Sequence, residues 1–210
     1  MNRGLGLLLA PGAGADRDQA ALVAIDDAAT VAGWLVVRMD FPYRKAGKRA
    51  PDRAPVLIAS VREEVAELGR CCDRVVLGGR SMGGRMCSMA VAEGVGAAGL
   101  ALISYPLHPP GRPASLRTEH FSGLDVPCLF VSGTRDPFGS PAELVEATAA
   151  IPGAVTHHWI EGKDHGLRGC EAEVSATVVD WLSSGVPRAG RGSKNRGPAT
   201  GPAGPTRKRP

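Results

Sequence analysis

Apolar and polar positions along the chain follow two periods in alternation. Short apolar runs at residues 5–10, 34–39, 75–77, 100–104, 128–132 and 155–160 have the length and Leu/Val/Ile content of strands buried in a parallel sheet. Between them, apolar residues recur at helical spacing. One alanine-rich stretch runs to about Ala32 with Gly33 as its stop, and Leu57, Val61, Val65 and Leu68 precede Gly69. Met86, Met89, Ala90 and Val91 form a third group, and Val174, Val178, Val179 and Leu182 a last one that closes at Gly185. Punctuation agrees with this division. Asp16 with Gln19, and Ser140 with Glu143, have capping-box spacing, and Pro55 and Pro141 suit first helical positions. Residues 44–53 read as a basic loop, and the proline-rich stretch 105–125 shows no period. Alternation of strand and helix predicts an α/β fold: a doubly wound, mostly parallel sheet of about six strands with helices on both faces.

Composition narrows the setting. A chain of 210 residues with 43% hydrophobic content suits one domain with a full core, expected over residues 1–185. Residues 185–210 hold 6 glycines and 5 prolines and have little to bury, so 186–210 is expected to be a disordered, basic tail. The formal charge of +4 belongs to that tail. Seven of the 25 basic residues lie beyond residue 187, which leaves 18 basic against 21 acidic residues, or about −3, in the rest. The folded part is therefore not expected to bind nucleic acid. Arg207-Lys208-Arg209 is either a nucleic-acid or localisation patch or a solvated terminus. The apolar run near Leu5 is too short to span a membrane and does not read as a signal peptide. Five scattered cysteines without zinc-ligand spacing predict reduced thiols, a cytoplasmic setting and no metal. Nothing in the pattern asks for a nucleotide, flavin or other cofactor.

The strand at residues 75–77 runs into Gly79-Arg80-Ser81-Met82-Gly83, and a helix follows. Strand, G-x-S-x-G and helix is the context of a nucleophile elbow, where a tight turn lifts a serine clear of the sheet above a helix N-terminus. Ligands of open α/β sheets bind beyond the carboxyl ends of the strands. Four candidate groups fall at such ends: the Gly12-Ala13-Gly14 loop, Ser81, Asp136 and His165. A serine hydroxyl needs a base to become a nucleophile, an imidazole can take and return its proton, and a carboxylate can hold the imidazole's tautomer. The order Ser81, Asp136, His165 is the one that hydrolases of this architecture use. Backbone N–H groups of Ala13 and Met82 are the expected oxyanion donors.

Each piece also has a plainer reading. Asp136 precedes Pro137 and could be a turn residue, and His165 between Asp164 and Gly166 could be a polar loop residue. Gly12-Ala13-Gly14 lacks the third glycine of a dinucleotide fingerprint, because Arg17 stands there. Arg80 and Arg85 flank the elbow and either attract an anionic substrate or serve structure. His108 and His120 lie in the connection after the fourth strand, Glu161 and Asp164 are substitute acids, and Cys87 is expected to face the core. Coincidence of four groups at four strand ends in one chemical order favours the triad.

Together with the elbow, the segments Tyr105-Pro106-Leu107-His108-Pro109-Pro110-Gly111, Leu116-Arg117-Thr118-Glu119-His120 and Gly133-Thr134-Arg135-Asp136-Pro137-Phe138-Gly139 resemble a group of small α/β-hydrolase-fold proteins. The group is described as dienelactone-hydrolase-like, and includes a subunit of the animal non-specific-lethal chromatin complex. The resemblance runs from about Leu7 to Trp181. It implies a minimal α/β-hydrolase fold and a triad at Ser81, Asp136 and His165, but no substrate. Such proteins often begin the first loop His-Gly-Ala-Gly, where this chain has Pro11, and dienelactone hydrolases proper carry cysteine where this chain has Ser81.

The expected activity is a serine hydrolase of the carboxylesterase or thioesterase type, acting on a small-molecule acyl substrate. A peptidase or acyltransferase would use the same residues. The alternative from another class is a non-catalytic interaction module that keeps the fold. The stretch 105–125 is the only candidate cap, and its shortness suggests an open site. Oligomeric state is not readable.

Overall fold

In the computed structural model, which describes residues 4–184, six parallel strands form one sheet in the order β2-β1-β3-β4-β5-β6. They are β1 (Gly4–Ala10), β2 (Trp34–Arg38), β3 (Cys72–Arg80), β4 (Gly99–Ile103), β5 (Cys128–Gly133) and β6 (Val155–Ile160). The helices are α1 (Ala20–Val31), α2 (Pro42–Lys45), α3 (Ala54–Leu68), α4 (Met82–Ala92), α5 (Pro141–Thr148) and α6 (Glu171–Ser184). Every strand pair is parallel, so all six carboxyl ends share one edge.

Side chains of successive strand residues point to opposite faces, and the sheet uses both. Leu7, Leu9, Val76, Ala101, Ile103 and Val131 pack with Leu22 and Ile25 of α1 and with Val174, Val178 and Trp181 of α6. Leu8, Leu77, Leu100, Leu102 and Phe130 pack on the other face with α3, α4 and α5 through Leu57, Val61, Met86, Ala90 and Leu144. Burial on both faces is what near-continuous apolar runs mean, so the doubly wound reading holds, with a sheet that is parallel throughout.

Two local expectations need correction. Asp16 and Gln19 do not form a capping box. Gln19 is the N-cap of α1 but makes no side-chain cap bond. Its Oε1 instead accepts from the Gly12 N–H at 3.1 Å, and Asp16 Oδ1 accepts from the Asp18 N–H at 3.2 Å. The loop from β1 competes for the side chains that helix capping would use. The stretch read as a basic loop begins with the short helix α2, which Pro42 initiates. The second capping box, Ser140 with Glu143, is formed. Closure of the last helix at Gly185, the domain boundary there and the basic tail lie outside the described residues.

The chain leaves β1 for β2 on one side and later returns to β3 on the other, so the loops after β1 and β3 diverge from adjacent strands. Such a switch point is where open sheets bind ligands. Ala10 and Gly79 are partners across it. A Cβ on Gly83 would overlap the Ala10 and Pro11 carbonyl oxygens, whereas one on Gly96 would meet nothing within 4 Å. Gly83→Ala is therefore expected to destabilise the fold by about 3 kcal/mol or more, and Gly96→Ala by less than about 0.5 kcal/mol, in paired urea denaturation curves.

Candidate active site

β3 ends in a turn that its neighbours crowd from every side. Ser81 has φ 51 and ψ −116, a conformation that costs a non-glycine residue about 1–3 kcal/mol. Its N–H donates to Ile103 O at 2.8 Å, continuing the ladder with β4, and its carbonyl accepts from the Arg85 N–H at 3.1 Å to open α4. A Cβ on Gly79 would lie 2.7 Å from Ala10 O, Gly83 C and Gly84 N, so glycine there is a steric requirement. Ser81 is thus held between strand and helix with its side chain at the carboxyl edge.

Loops after β5 and β6 meet it there. His165 Nε2 lies 2.8 Å from Ser81 Oγ, and His165 Nδ1 lies 2.8 Å from Asp136 Oδ2. A carboxylate only accepts, so Nδ1 carries the proton and donates to Asp136, and the Nε2 lone pair faces the serine hydroxyl; this tautomer is assigned from the network. Asp136 Oδ1 accepts from the Phe138 N–H at 2.9 Å, and the carboxylate is 1% exposed. Both carboxylate oxygens are committed, which fixes the imidazole's orientation. The two loops are tied by the Arg135 N–H, which donates to Lys163 O at 2.9 Å.

Two further contacts set the imidazole, and sequence reasoning assigned neither. Arg80 Nη2 donates to His165 O at 2.6 Å, and the Phe138 ring lies 4.1 Å from the imidazole, centroid to centroid. Burial pulls the Arg80 guanidinium below the usual arginine range, against the charges of Asp136 and Asp164. Arg80 therefore has a structural task. Its place between strand and nucleophile was visible in the sequence, but the partner 85 residues away was not.

The first loop is held just as firmly. Its Gly12 N–H goes to Gln19 Oε1, its Gly14 N–H goes to Tyr43 Oη at 3.1 Å, and Asp16 pairs with Arg44 at 3.2 Å. Ala13, between them, is exposed, and among the described residues its N–H has no acceptor; the same is true of the Met82 N–H at the start of α4. The sequence pattern assigns no role to Tyr43. Its nearness to the loop follows from the adjacency of β1 and β2, a topological fact.

The remaining candidates have other partners. Glu161 accepts from Thr134 Oγ1 and Asp164 from the Gly166 N–H, so neither replaces Asp136 beside the imidazole. His108 is buried, with Nδ1 2.9 Å from Pro109 O and Nε2 3.5 Å from Glu143. Cys87 is buried in the core, its thiol pushed up to about 12 by that burial. Among the described residues no group of three or more His, Cys, Asp or Glu side chains could hold a metal ion, and no helix is long and apolar enough to cross a membrane.

Comparison with known proteins bears on the whole scaffold. The family model described as an alpha/beta hydrolase domain matches residues 4–181. A protein from Xanthomonas campestris assigned to the α/β hydrolase superfamily is 22% identical, covering 87% of this chain and 99% of that one, with a TM-score of 0.67. An α/β serine hydrolase homologue from Coxiella burnetii is 19% identical over 85% of both chains, TM-score 0.67. A dienelactone hydrolase from Anabaena variabilis is 17% identical, covering 87% of this chain and 86% of that one, TM-score 0.68. At these identities the likeness to solved structures is one of fold.

His120 is set apart from the base position by its environment. Its Nε2 lies 2.8 Å from Ser88 Oγ, and burial, then the Arg85 charge, push the imidazole down to about 4. The unfolded chain takes up this proton near 6.5 and the folded chain only near 4. His120 accordingly contributes stability that is full above pH 6.5 and is lost as pH falls towards 4. An NMR titration is expected to put its midpoint near 4, and His120→Gln to flatten the fall of Tm across that window.

Proposed function

This chain belongs to the alpha/beta hydrolase domain family, and from that premise we propose that it is a serine hydrolase cleaving a small ester or thioester through an acyl-enzyme on Ser81. The observation that carries the proposal is the unbroken run of hydrogen bonds from Ser81 Oγ through His165 to Asp136, each 2.8 Å long.

In this reading His165 Nε2 takes the Ser81 proton as the oxygen attacks the acyl carbon, and Asp136 stabilises the imidazolium that forms. Negative charge moves to the former carbonyl oxygen, for which the unbonded N–H groups of Ala13 and Met82 are the donors. One such donor is worth about 3 kcal/mol in the transition state. The imidazolium then gives its proton to the leaving alcohol or thiol. Water, activated by the same imidazole, attacks the acyl-serine and releases the acid. The non-catalytic alternative would leave Ser81 without a base, and the 2.8 Å contact with His165 argues against it. Free thiols at Cys71, Cys72, Cys87, Cys128 and Cys170 support a reducing, cytoplasmic setting.

Purified protein is expected to be phosphonylated by a fluorophosphonate probe, and Ser81→Ala to abolish the labelling. Asp136→Asn should lower kcat by about 10⁴-fold while the fold persists. Equal labelling of the unmodified and Ser81→Ala proteins would overturn the reading.

Tyr43 enters as a positioning residue, because its hydroxyl holds Gly14 and so fixes the loop that presents Ala13. Tyr43→Phe is expected to lower kcat about tenfold with KM little changed, the loss of about one hydrogen bond's worth of loop order. A structural role alone would instead appear as a lower Tm with kcat intact.

A further inference from the structure

Of the two arginines that flank the elbow, Arg80 alone has a side-chain hydrogen bond among the described residues. Arg85, one helical turn beyond Ser81 and bonded through its N–H to Ser81 O, is half-buried, and its Nε is buried with no hydrogen-bond partner. Helical side chains lean towards the helix N-terminus, so that of Arg85 runs back towards the level of the nucleophile. A second arginine, Arg117, lies in the connection after β4, which is tied to α4 where His120 Nε2 lies 2.8 Å from Ser88 Oγ, three residues past Arg85. Tyr105 follows that strand by two residues, and its hydroxyl donates to Arg117 O at 2.7 Å. The Arg117 N–H donates to Leu107 O at 2.8 Å, which folds Arg117 over the carboxyl end of β4 next to β3. Its guanidinium has one long contact, 3.5 Å from Nη1 to Pro106 O.

No ion pair among the described residues involves either guanidinium. Other charges in the neighbourhood are few. Glu119 is exposed and has no ion pair among the described residues, although its charge reaches Tyr105 and His120, and His120 is neutral at pH 7. Burial and then the Arg85 charge pull the Arg117 guanidinium below the usual arginine range, which fits two cations sharing one partly desolvated site. Two like charges sharing such a site repel each other, and an anion between them would relieve that repulsion. Planar forked guanidinium groups match a carboxylate better than any neutral group.

We propose that Arg85 and Arg117 form an anion subsite beside Ser81 that takes the terminal carboxylate of an acidic acyl chain, so that the preferred substrates are half-esters or half-thioesters of short dicarboxylic acids. Reaction at Ser81 rests on the hydrolase reading above; binding of the carboxylate does not. Four residues, about 6 Å of rise along the helix axis, separate the Ser81 and Arg85 backbones, so a carboxylate held by Arg85 belongs to a short acyl chain, of succinate to adipate length.

The test compares mono-p-nitrophenyl glutarate with p-nitrophenyl butyrate. The unmodified protein is expected to show a kcat/KM ratio of at least 10 in favour of the glutarate ester, falling with added salt. Arg85→Gln and Arg117→Gln should each bring the ratio towards 1, and Arg112→Gln, exposed in the same connection, should leave it unchanged. A binding arm uses Ser81→Ala with monomethyl glutarate in isothermal titration calorimetry, where adding Arg85→Gln should weaken binding at least tenfold. Turnover of both esters at a ratio near 1 overturns the subsite and leaves the hydrolase reading standing. Binding that depends on Arg85 in the absence of any turnover supports the subsite and counts against the hydrolase reading. Binding of monomethyl glutarate that is unaffected by both Arg85→Gln and Arg117→Gln overturns the subsite.

Discussion

Backbone contact at the switch point governs this molecule. Gly79, Gly83 and Gly84 let the start of α4 press against the end of β1 so closely that no Cβ fits between Gly83 and the carbonyls of Ala10 and Pro11. Everything at the carboxyl edge follows from that approach. It forces the chain to reverse at Ser81, stores backbone strain there, and sets the first N–H of α4 beside the loop that carries Ala13. Strain of about 1–3 kcal/mol at one residue persists only where surrounding packing over-determines the geometry. Here the sheet on one side and the buried residues Met86, Cys87 and Ala90 on the other supply that packing.

Around this rigid point, polar groups are divided by task. His165 is held through its ring by Asp136 and through its main chain by Arg80, so two loops and a strand end agree on one imidazole position. Gln19 and Tyr43 take the N–H groups on either side of Ala13 and leave the middle one unused. A free donor held between two bonded neighbours is oriented in advance for a ligand or a developing charge. The same logic separates Arg80, bonded at 2.6 Å to His165 O, from Arg85, whose guanidinium has no hydrogen bond among the described residues, and Arg117, whose one contact is long.

Much of this was legible in the sequence because it depends on local pattern. Strand runs, helical spacing and the glycines around Ser81 are short-range signals, and the order of Ser81, Asp136 and His165 along the chain could be matched to the ends of strands. Failures came where a side chain with two possible partners chose the distant one. Gln19 has capping-box spacing with Asp16, yet it bonds Gly12, because the loop after β1 returns to that point in space. The tasks of Tyr43, Arg80 and Phe138 depend on which strands are neighbours, and strand order is not written at any single position.

The connection after β4 shows why specificity has to come from the rim. Its aromatic residues are committed to the core: Tyr105 and Phe121 are at most 1% exposed, and they pack with each other and with Phe130. His120 ties it to α4 through Ser88. A segment anchored in the core at Tyr105, Phe121 and Leu124 is poorly placed to act as a lid over the site. Closure by a deep apolar pocket then has no source in this stretch, and selectivity falls to side chains standing around Ser81. Among these, Phe138 packs against the His165 imidazole, and Arg85 with Arg117 would offer charge. In an open site apolar contact discriminates weakly, whereas guanidinium groups that have no carboxylate partner among the described residues would, in the proposed subsite, discriminate strongly between charged and neutral chains. On the proposed subsite, a small scaffold with an anchored connection would therefore recognise its substrates by charge.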